Sequence, residues 1–437
     1  MRNKLYRLLA AVIALLPLAA QAQDNSSLNT FSPYTFYGLG DLQQAGTVRS
    51  HSMGGIGVAI RNWYEVNPLN PASYSAVPRQ SAAFTVGLSG KNTYLKTDAA
   101  KTAHNSFNIN NIGFMLPITR GVGFAVTVNP YSSVGYRAHR EETDPEIITD
   151  VGYVLYSYQG EGNISQVKAG IGAQLFPGFS LGADVIGYLG TINRYSGVEI
   201  STVTSDAYSN ITINDREEVS DISFGVGFQY NVWTSADRRK ILTVGATYEP
   251  KLGLHNKSIR EVISSRTTDS IRYSEMRNTI TIPQKFSGGI YYQVLAKGGI
   301  GLDYTYQDWN KAFTIPSVDR VTLRRSQSIN FGFEYTPNAG DIRNFLNRWT
   351  YRAGFKYADM YLVKDGQKIN NMAVTLGVGV PLSQFRMGEM SVGLEFGRRG
   401  KTGFTPNNLP MVRENYFKVS LGFTLFDDYW FIKQRYD

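Results

Sequence analysis

The sequence predicts an all-β fold, a 14-stranded antiparallel transmembrane β-barrel with an N-terminal plug segment. Three observations carry this reading. From about residue 81 onward apolar residues alternate with small or polar ones at a period of two, the pattern of a strand with unlike faces. The connections alternate between short turns, such as Thr119-Arg120, and long Ser/Thr/Asp-rich stretches, as in outer-membrane barrels. The chain has no cysteine, and beyond its first residues no apolar stretch of helix length. Disulfides and helical membrane spans are therefore excluded.

The first element to set aside is a targeting segment. Arg2, Lys4 and Arg7 precede an apolar run over 8–20, and Ala20-Gln21-Ala22 is a small-x-small cleavage pattern. Together these predict a Sec signal peptide over 1–22. The run is shorter than the ~18 apolar residues of a membrane anchor, and Pro17 interrupts it. The formal charge of +9 includes its three cations, and the remaining Lys and Arg are scattered rather than gathered into a stripe. Nucleic acid is therefore not a predicted partner. With 28 Tyr, 23 Phe and 43 Gly at a mean hydropathy of −0.23, the composition suits strands that show every second residue to lipid.

The barrel is assigned to 81–426. In 222–230, Ile222, Phe224, Val226, Phe228 and Tyr230 oppose Ser223, Gly225, Gly227 and Gln229. The same split recurs at 122–129, 371–380 and 417–425. Fourteen strands are predicted near 81–91, 105–118, 121–135, 163–175, 179–200, 209–231, 240–255, 271–295, 298–311, 322–336, 350–364, 369–381, 388–399 and 414–426. Many exceed the ~5–6 residues usual in soluble sheets and reach the ~9–11 tilted residues that cross a bilayer. An even count returns both ends to one side, the periplasm. Long outside loops are expected at 136–162, 256–270 and 312–321, with an extended hairpin around 190–220. Residues 427–437 form a charged, aromatic periplasmic tail.

Parity along these strands points Lys168, Asp184, Asp303, Glu334, Arg352, Lys356, Glu395 and Lys418 into the lumen, interspersed with glycine. Four acids and four bases do not make a selectivity ring of one sign. They read as a mutually paired network that grips a plug, or as contacts for an anionic head group, with Arg352 and Lys356 foremost. Glycine on the inward face fits a close-packed plug or a bulky guest. Pro130, between Asn129 and Tyr131, lies inside the third strand and removes a ladder hydrogen bond. It marks either a strand end beyond the membrane or a kink.

Residues 23–80 carry dense Gly, Pro and Asn without a sustained period, as a compact segment folding back to plug the lumen would. The run from GLG through SMGGIGVAI to NPASYSAVPRQSAAFTVGLSG resembles the start of the FadL/TodX family of outer-membrane transporters for hydrophobic compounds. VGFAVTVNPYSSVGY (122–136) and IPQKFSGGIYYQVLAKGGIGLDYTYQDWN (282–310) are similar to two further patterns of that family. The resemblance implies a 14-stranded barrel with a hatch over 23–80 whose Asn-Pro-Ala motif falls on Asn70, Pro71 and Ala72. Asn67-Pro68 nearly duplicates the motif's first half. It also implies passive transport of small hydrophobic compounds, fatty acid-like or aromatic, gated at Asn67–Ala72. Exit would be sideways near Asn129, Pro130 and Tyr131, and outer-membrane lipid a partner.

The chain departs from that family in two places. Fatty-acid members capture substrate with apolar outside loops, whereas 200–215 and 256–280 are polar and Ser/Thr-rich. The end FDDYWFIKQRYD is similar to tails of Bacteroidota relatives, including PorV-like members that serve secretion. The alternative is therefore a barrel component of a secretion or surface-assembly machine, with secretion-machinery proteins as partners. His51, His104, His139 and His255 lie far apart, with no carboxylate at metal-ligand spacing. No complete Gly-x-Gly-x-x-Gly is present. No metal, cofactor or enzymatic activity is expected.

Overall fold

The structure is a computed structural model that describes residues 29–201, 208–265, 271–274, 279–313, 320–382 and 388–427. The predicted signal peptide (1–22) and all of the predicted tail but Asp427 lie outside the described residues.

Fourteen strands close the wall: β1 (Ala82–Lys96), β2 (Lys101–Thr119), β3 (Val122–Glu141), β4 (Tyr153–Phe176), β5 (Phe179–Ser201), β6 (Ile211–Thr234) and β7 (Lys240–Glu249). They continue as β8 (Lys285–Val294), β9 (Gly298–Asp308), β10 (Arg325–Tyr335), β11 (Thr350–Lys364), β12 (Gln367–Pro381), β13 (Gly388–Arg399) and β14 (Arg413–Asp427). Neighbours pair antiparallel throughout, and β14 closes on β1 from Ala82↔Asp427 to Lys96↔Arg413. The fold is the predicted one, and its chemistry follows from two solvents. On β6, Ile222, Phe224, Val226, Phe228 and Tyr230 are exposed on the outer face, which is stable only where the surroundings are lipid. The alternate residues face a packed interior.

One end of the barrel carries tight connections such as 120–121, 177–178 and 295–297, and both ends of the strand run; we call it the turn end. The opposite, loop end differs from the sequence reading. Residues 136–162, expected as a loop, extend β3 and β4, which stay paired out to Glu141↔Leu155. Only 142–152 connects them, with a helix at Pro145–Val151. The expected loop 256–270 begins within a strand, Leu252–Ser264, that pairs with the outer part of β6. The predicted strand 271–295 separates into β8 and two short pieces, Ile271–Ser274 and Thr279–Ile282, that pair with Leu252–Ser264 instead. There pairing continues without the clean alternation that would reveal it, as in YVLYSYQGEG over 153–162.

Residues 29–81 pack inside this wall. They form a 3-10 turn at Pro33–Phe36, a two-residue strand at Asp41–Leu42, a helix at Val48–Ser52 and a 3-10 helix at Pro71–Ala76. Leu39 is fully buried in one cluster with Ile186 and Tyr361, Tyr74 in a second with Met115 and Ala125, and Met53 and Ile56 in a third with Tyr291.

Candidate functional site

The Asn-Pro-Ala motif shows how residue type sets position. Asn70 caps the 3-10 helix, its Oδ1 accepting from the Ala72 amide at 3.0 Å. Its Nδ2 donates to Val58 O at 2.8 Å and to Phe228 O on β6 at 3.0 Å. Pro71 occupies the first helical position, where its missing N–H costs nothing. Ala72 is fully buried because the wall reaches it directly. A Cβ on Gly182 of β5 would lie 2.4 Å from Ala72 N, and one on Gly172 of β4 would lie 2.4 Å from Pro71 O. Glycine is the only residue that allows this approach. Asn67 ties the preceding turn, its Nδ2 donating to Gly57 O at 2.7 Å and Ile60 O at 3.0 Å. Pro68 follows directly.

Two of the predicted lumen charges, Glu334 and Asp303, bind the N-terminal segment, and the others pair largely along the wall. Glu334 accepts from Arg49 Nη2 at 2.6 Å and Nε at 3.1 Å, and from Tyr291 OH at 2.7 Å. Arg49 also pairs with Glu65 at 3.1 Å. Arg352 lies between Glu334 at 3.4 Å and Glu389 at 2.6 Å. Asp303 Oδ2 accepts the Gly57 and Val58 amides at 2.7 and 2.9 Å. Lys168 pairs with Glu249 at 2.8 Å, Lys356 pairs with Glu395, and Asp184 packs over Gly170. Arg352 and Lys356 are thus satisfied by protein carboxylates. Lys418 stands beside Lys356, Glu395 and Lys91 around a polar inner cavity of about 240 Å³.

The wall is incomplete between β2 and β3. Their pairing runs from Thr119↔Val122 to Ile112↔Val128 and stops there. Residues 129–141 of β3 pair only with β4 and the N-terminal segment, and the β4 register shifts between Pro130 and Ser132. Pro130 has no N–H to offer a neighbour. Residues 29–43 occupy the gap. Asn108 Nδ2 of β2 donates to Asn29 O at 2.6 Å, and Phe31 stacks on His104 of β2. Ser32 N donates to Gly135 O of β3 at 2.8 Å, and Gln43 N to Tyr131 O at 2.8 Å. Asp41–Leu42 pairs with Ser133–Ser132 from inside. Arg399 holds Asp41 at 2.9 Å and Glu414 at 3.5 Å.

Over this gap, at the loop end, lies a pocket of about 750 Å³. Its aromatic lining comes chiefly from the N-terminal segment, with Phe31, Tyr34, Phe36 and Tyr37 joined by Tyr136. Lys101, Arg137 and Lys364 stand among the polar residues around it. The polar outside loops are thus not its source of apolar surface.

A protein-family model named BamG matches residues 4–437. The chain belongs to the BamG family. Among curated proteins no sequence match is found. Solved structures share the architecture of this BamG-family barrel. The Ralstonia pickettii toluene transporter TbuX is 14% identical, with a TM-score of 0.56 over 87% of this chain and 98% of that one. The Pseudomonas putida toluene transporter TodX is 14% identical, with a TM-score of 0.55 over 88% and 98%. A Pseudomonas aeruginosa FadL homologue is 14% identical, with a TM-score of 0.53 over 89% and 99%. At these identities the likeness establishes the fold alone, a barrel of the FadL/TodX type, as the sequence resemblance implied.

Sequence reasoning missed several of the polar anchors. Arg399 shares parity with Glu395, and Glu414 with Lys418, so the strand pattern carried enough to place both inward. Arg49, Asp41 and Glu65 sit on a segment without periodicity, and nothing local marks them.

Proposed function

We propose that this BamG-family barrel is a passive outer-membrane channel for small hydrophobic compounds. The loop end faces outward and both termini the periplasm, after removal of a signal peptide over 1–22. Substrate enters the aromatic pocket at the loop end. It leaves sideways between β2 and β3 near Asn129, Pro130 and Tyr131, with residues 23–80 as hatch and Asn67–Ala72 as gate. The observation that carries this reading is the stretch of wall where β2 and β3 do not pair, beneath a pocket lined by both strands. The toluene transporters that share the fold make monoaromatic compounds the first substrates to try.

Because the chain lacks cysteine, Thr102→Cys and Ala138→Cys can be joined by a bis-maleimide across the gap. Cells carrying the barrel should take up labelled toluene or oleate faster than deletion cells, and the crosslink should abolish the difference. Uptake that persists after complete crosslinking rules out the sideways exit.

A second reading, a non-transporting component of a secretion or surface-assembly machine, is favoured by how firmly Arg49, Glu334 and Asp303 fix the lumen segment. A deletion that abolishes surface display of secreted proteins while uptake is unaffected selects it.

A further inference from the structure

The turn end holds a cavity of about 740 Å³ that neither reading uses. Arg61, Arg79 and Arg120 line it together with Trp63 and Tyr64. Arg61 donates to Ser180 Oγ at 2.6 Å and to Gln174 Oε1 at 3.2 Å, both neutral acceptors. Arg79 and Arg120 are exposed. Among the described residues none of the three forms an ion pair. The two acids on the lining, Glu334 and Glu389, are already held by Arg49 and Arg352. Trp63 packs edge-on against Phe426 of β14 and remains 39% exposed. Around the mouth Arg238, Arg239, Lys240 and Lys297 add further positive charge at the turns. The acids nearby are engaged locally, Asp237 with Ser235 and Asp341 with the Arg343 and Asn344 amides.

We propose that this mouth is a docking site for an acidic peptide segment of a periplasmic protein. Carboxylates would pair with Arg61, Arg79 and Arg120, and an apolar side chain would rest on Trp63. Guanidinium groups donate to carboxylates in two-point geometry. Three of them without protein carboxylates, in a concave site with an aromatic floor, fit a charged extended chain better than a neutral one. A low-dielectric mouth also focuses the field and speeds capture of an anionic partner. The inference rests on the orientation proposed above, not on the transported compound.

The test uses the full mature chain in phosphatidylcholine nanodiscs and a fluorescein-labelled decapeptide of Glu and Asp with one central Leu. Its Gln/Asn analogue is the control. The acidic peptide should bind at least tenfold more tightly than the analogue, and the preference should fall as salt is raised. An R79E/R120E variant should abolish the preference, whereas K96E/R140E at the loop end should retain it. Resistance of the variants to unfolding by detergent before heating confirms an intact barrel. Equal binding of the two peptides overturns the proposal, as does equal loss in both charge reversals. Loss of peptide binding in phosphatidylglycerol nanodiscs also overturns it, because the arginines then belong to lipid head groups. Uptake and membrane orientation enter none of these readouts, so failure of the transport reading leaves them interpretable.

Discussion

Replacing Glu334 with Gln removes the charge on which the lumen segment is centred. The carboxylate receives two bonds from Arg49, one from Tyr291 and one from Arg352. Breaking a buried ion pair by removing one partner costs ~3–5 kcal/mol. Here the lower figure applies, because Arg49 keeps Glu65 and Arg352 keeps Glu389. A loss of ~3 kcal/mol, at ~1.4 kcal/mol per tenfold, weakens docking of residues 29–80 by roughly 100-fold. In planar bilayers this should appear as a large rise in the fraction of time a channel conducts. Arg49→Met with Glu334→Leu and Glu65→Met removes the whole buried triad, leaves Arg352 on Glu389 and should return conductance toward the wild type, since apolar residues substitute well for buried ion pairs. An E334Q barrel whose open fraction stays within threefold of wild type refutes the reasoning. So does a triple variant no tighter than the single one.

Three further outcomes are expected. Gly182→Val forces a side chain into the Pro71–Ala72 backbone. Backbone cannot step aside as a flexible side chain can, so overpacking of ~1–3 kcal/mol should lower the temperature at which the barrel loses its compact gel mobility. Asp303→Asn keeps an acceptor for the Gly57 and Val58 amides but turns charge-assisted bonds into neutral ones. A loss of ~1–1.5 kcal/mol should be visible in hydrogen exchange of those two amides. At the turn end, the Asp341 carboxyl is held below its ordinary range, first by the Asn344 amide and then by the Asn347 side chain. A depressed carboxyl stabilises its loop above the ordinary range and stops doing so as pH falls through its lowered value. Exchange of the Asn344 amide should therefore accelerate only in strong acid, and D341N should show the accelerated rate at neutral pH.

The barrel was legible because each strand crosses a lipid on one side and a packed lumen on the other. Val122 through Val128 and Phe417 through Leu425 carry that contrast residue by residue. Legibility ended where the contrast ends. Residues 137–141 and 153–162 pair as regularly as any strand, but stretches such as YVLYSYQGEG show no clean alternation of apolar with small or polar residues. The lumen charges were readable by parity from the strands, and that same parity reached Arg399 and Glu414 had it been carried to the strand ends. Their partners on the N-terminal segment were not readable. Arg49 meets Glu334 across 285 positions of chain, and no spacing rule connects them.

The outside loops illustrate the same separation between local composition and assembled surface. Their polar sequences argued against an apolar capture site when read alone. The pocket that forms at the loop end draws its aromatic wall from Phe31, Tyr34, Phe36 and Tyr37, residues that precede every barrel strand. Those side chains reach the loop end because β2 and β3 part beyond Ile112↔Val128, leaving residues 29–43 to complete the wall. Ser32 and Asp41 then fasten that stretch to Gly135, Ser133 and Arg399. The element that lines the pocket is therefore also the element that fills the gap beneath it. A change that frees residues 29–43 alters both at once, so the pocket and the wall behave as a single coupled structure rather than as a receptor followed by a door.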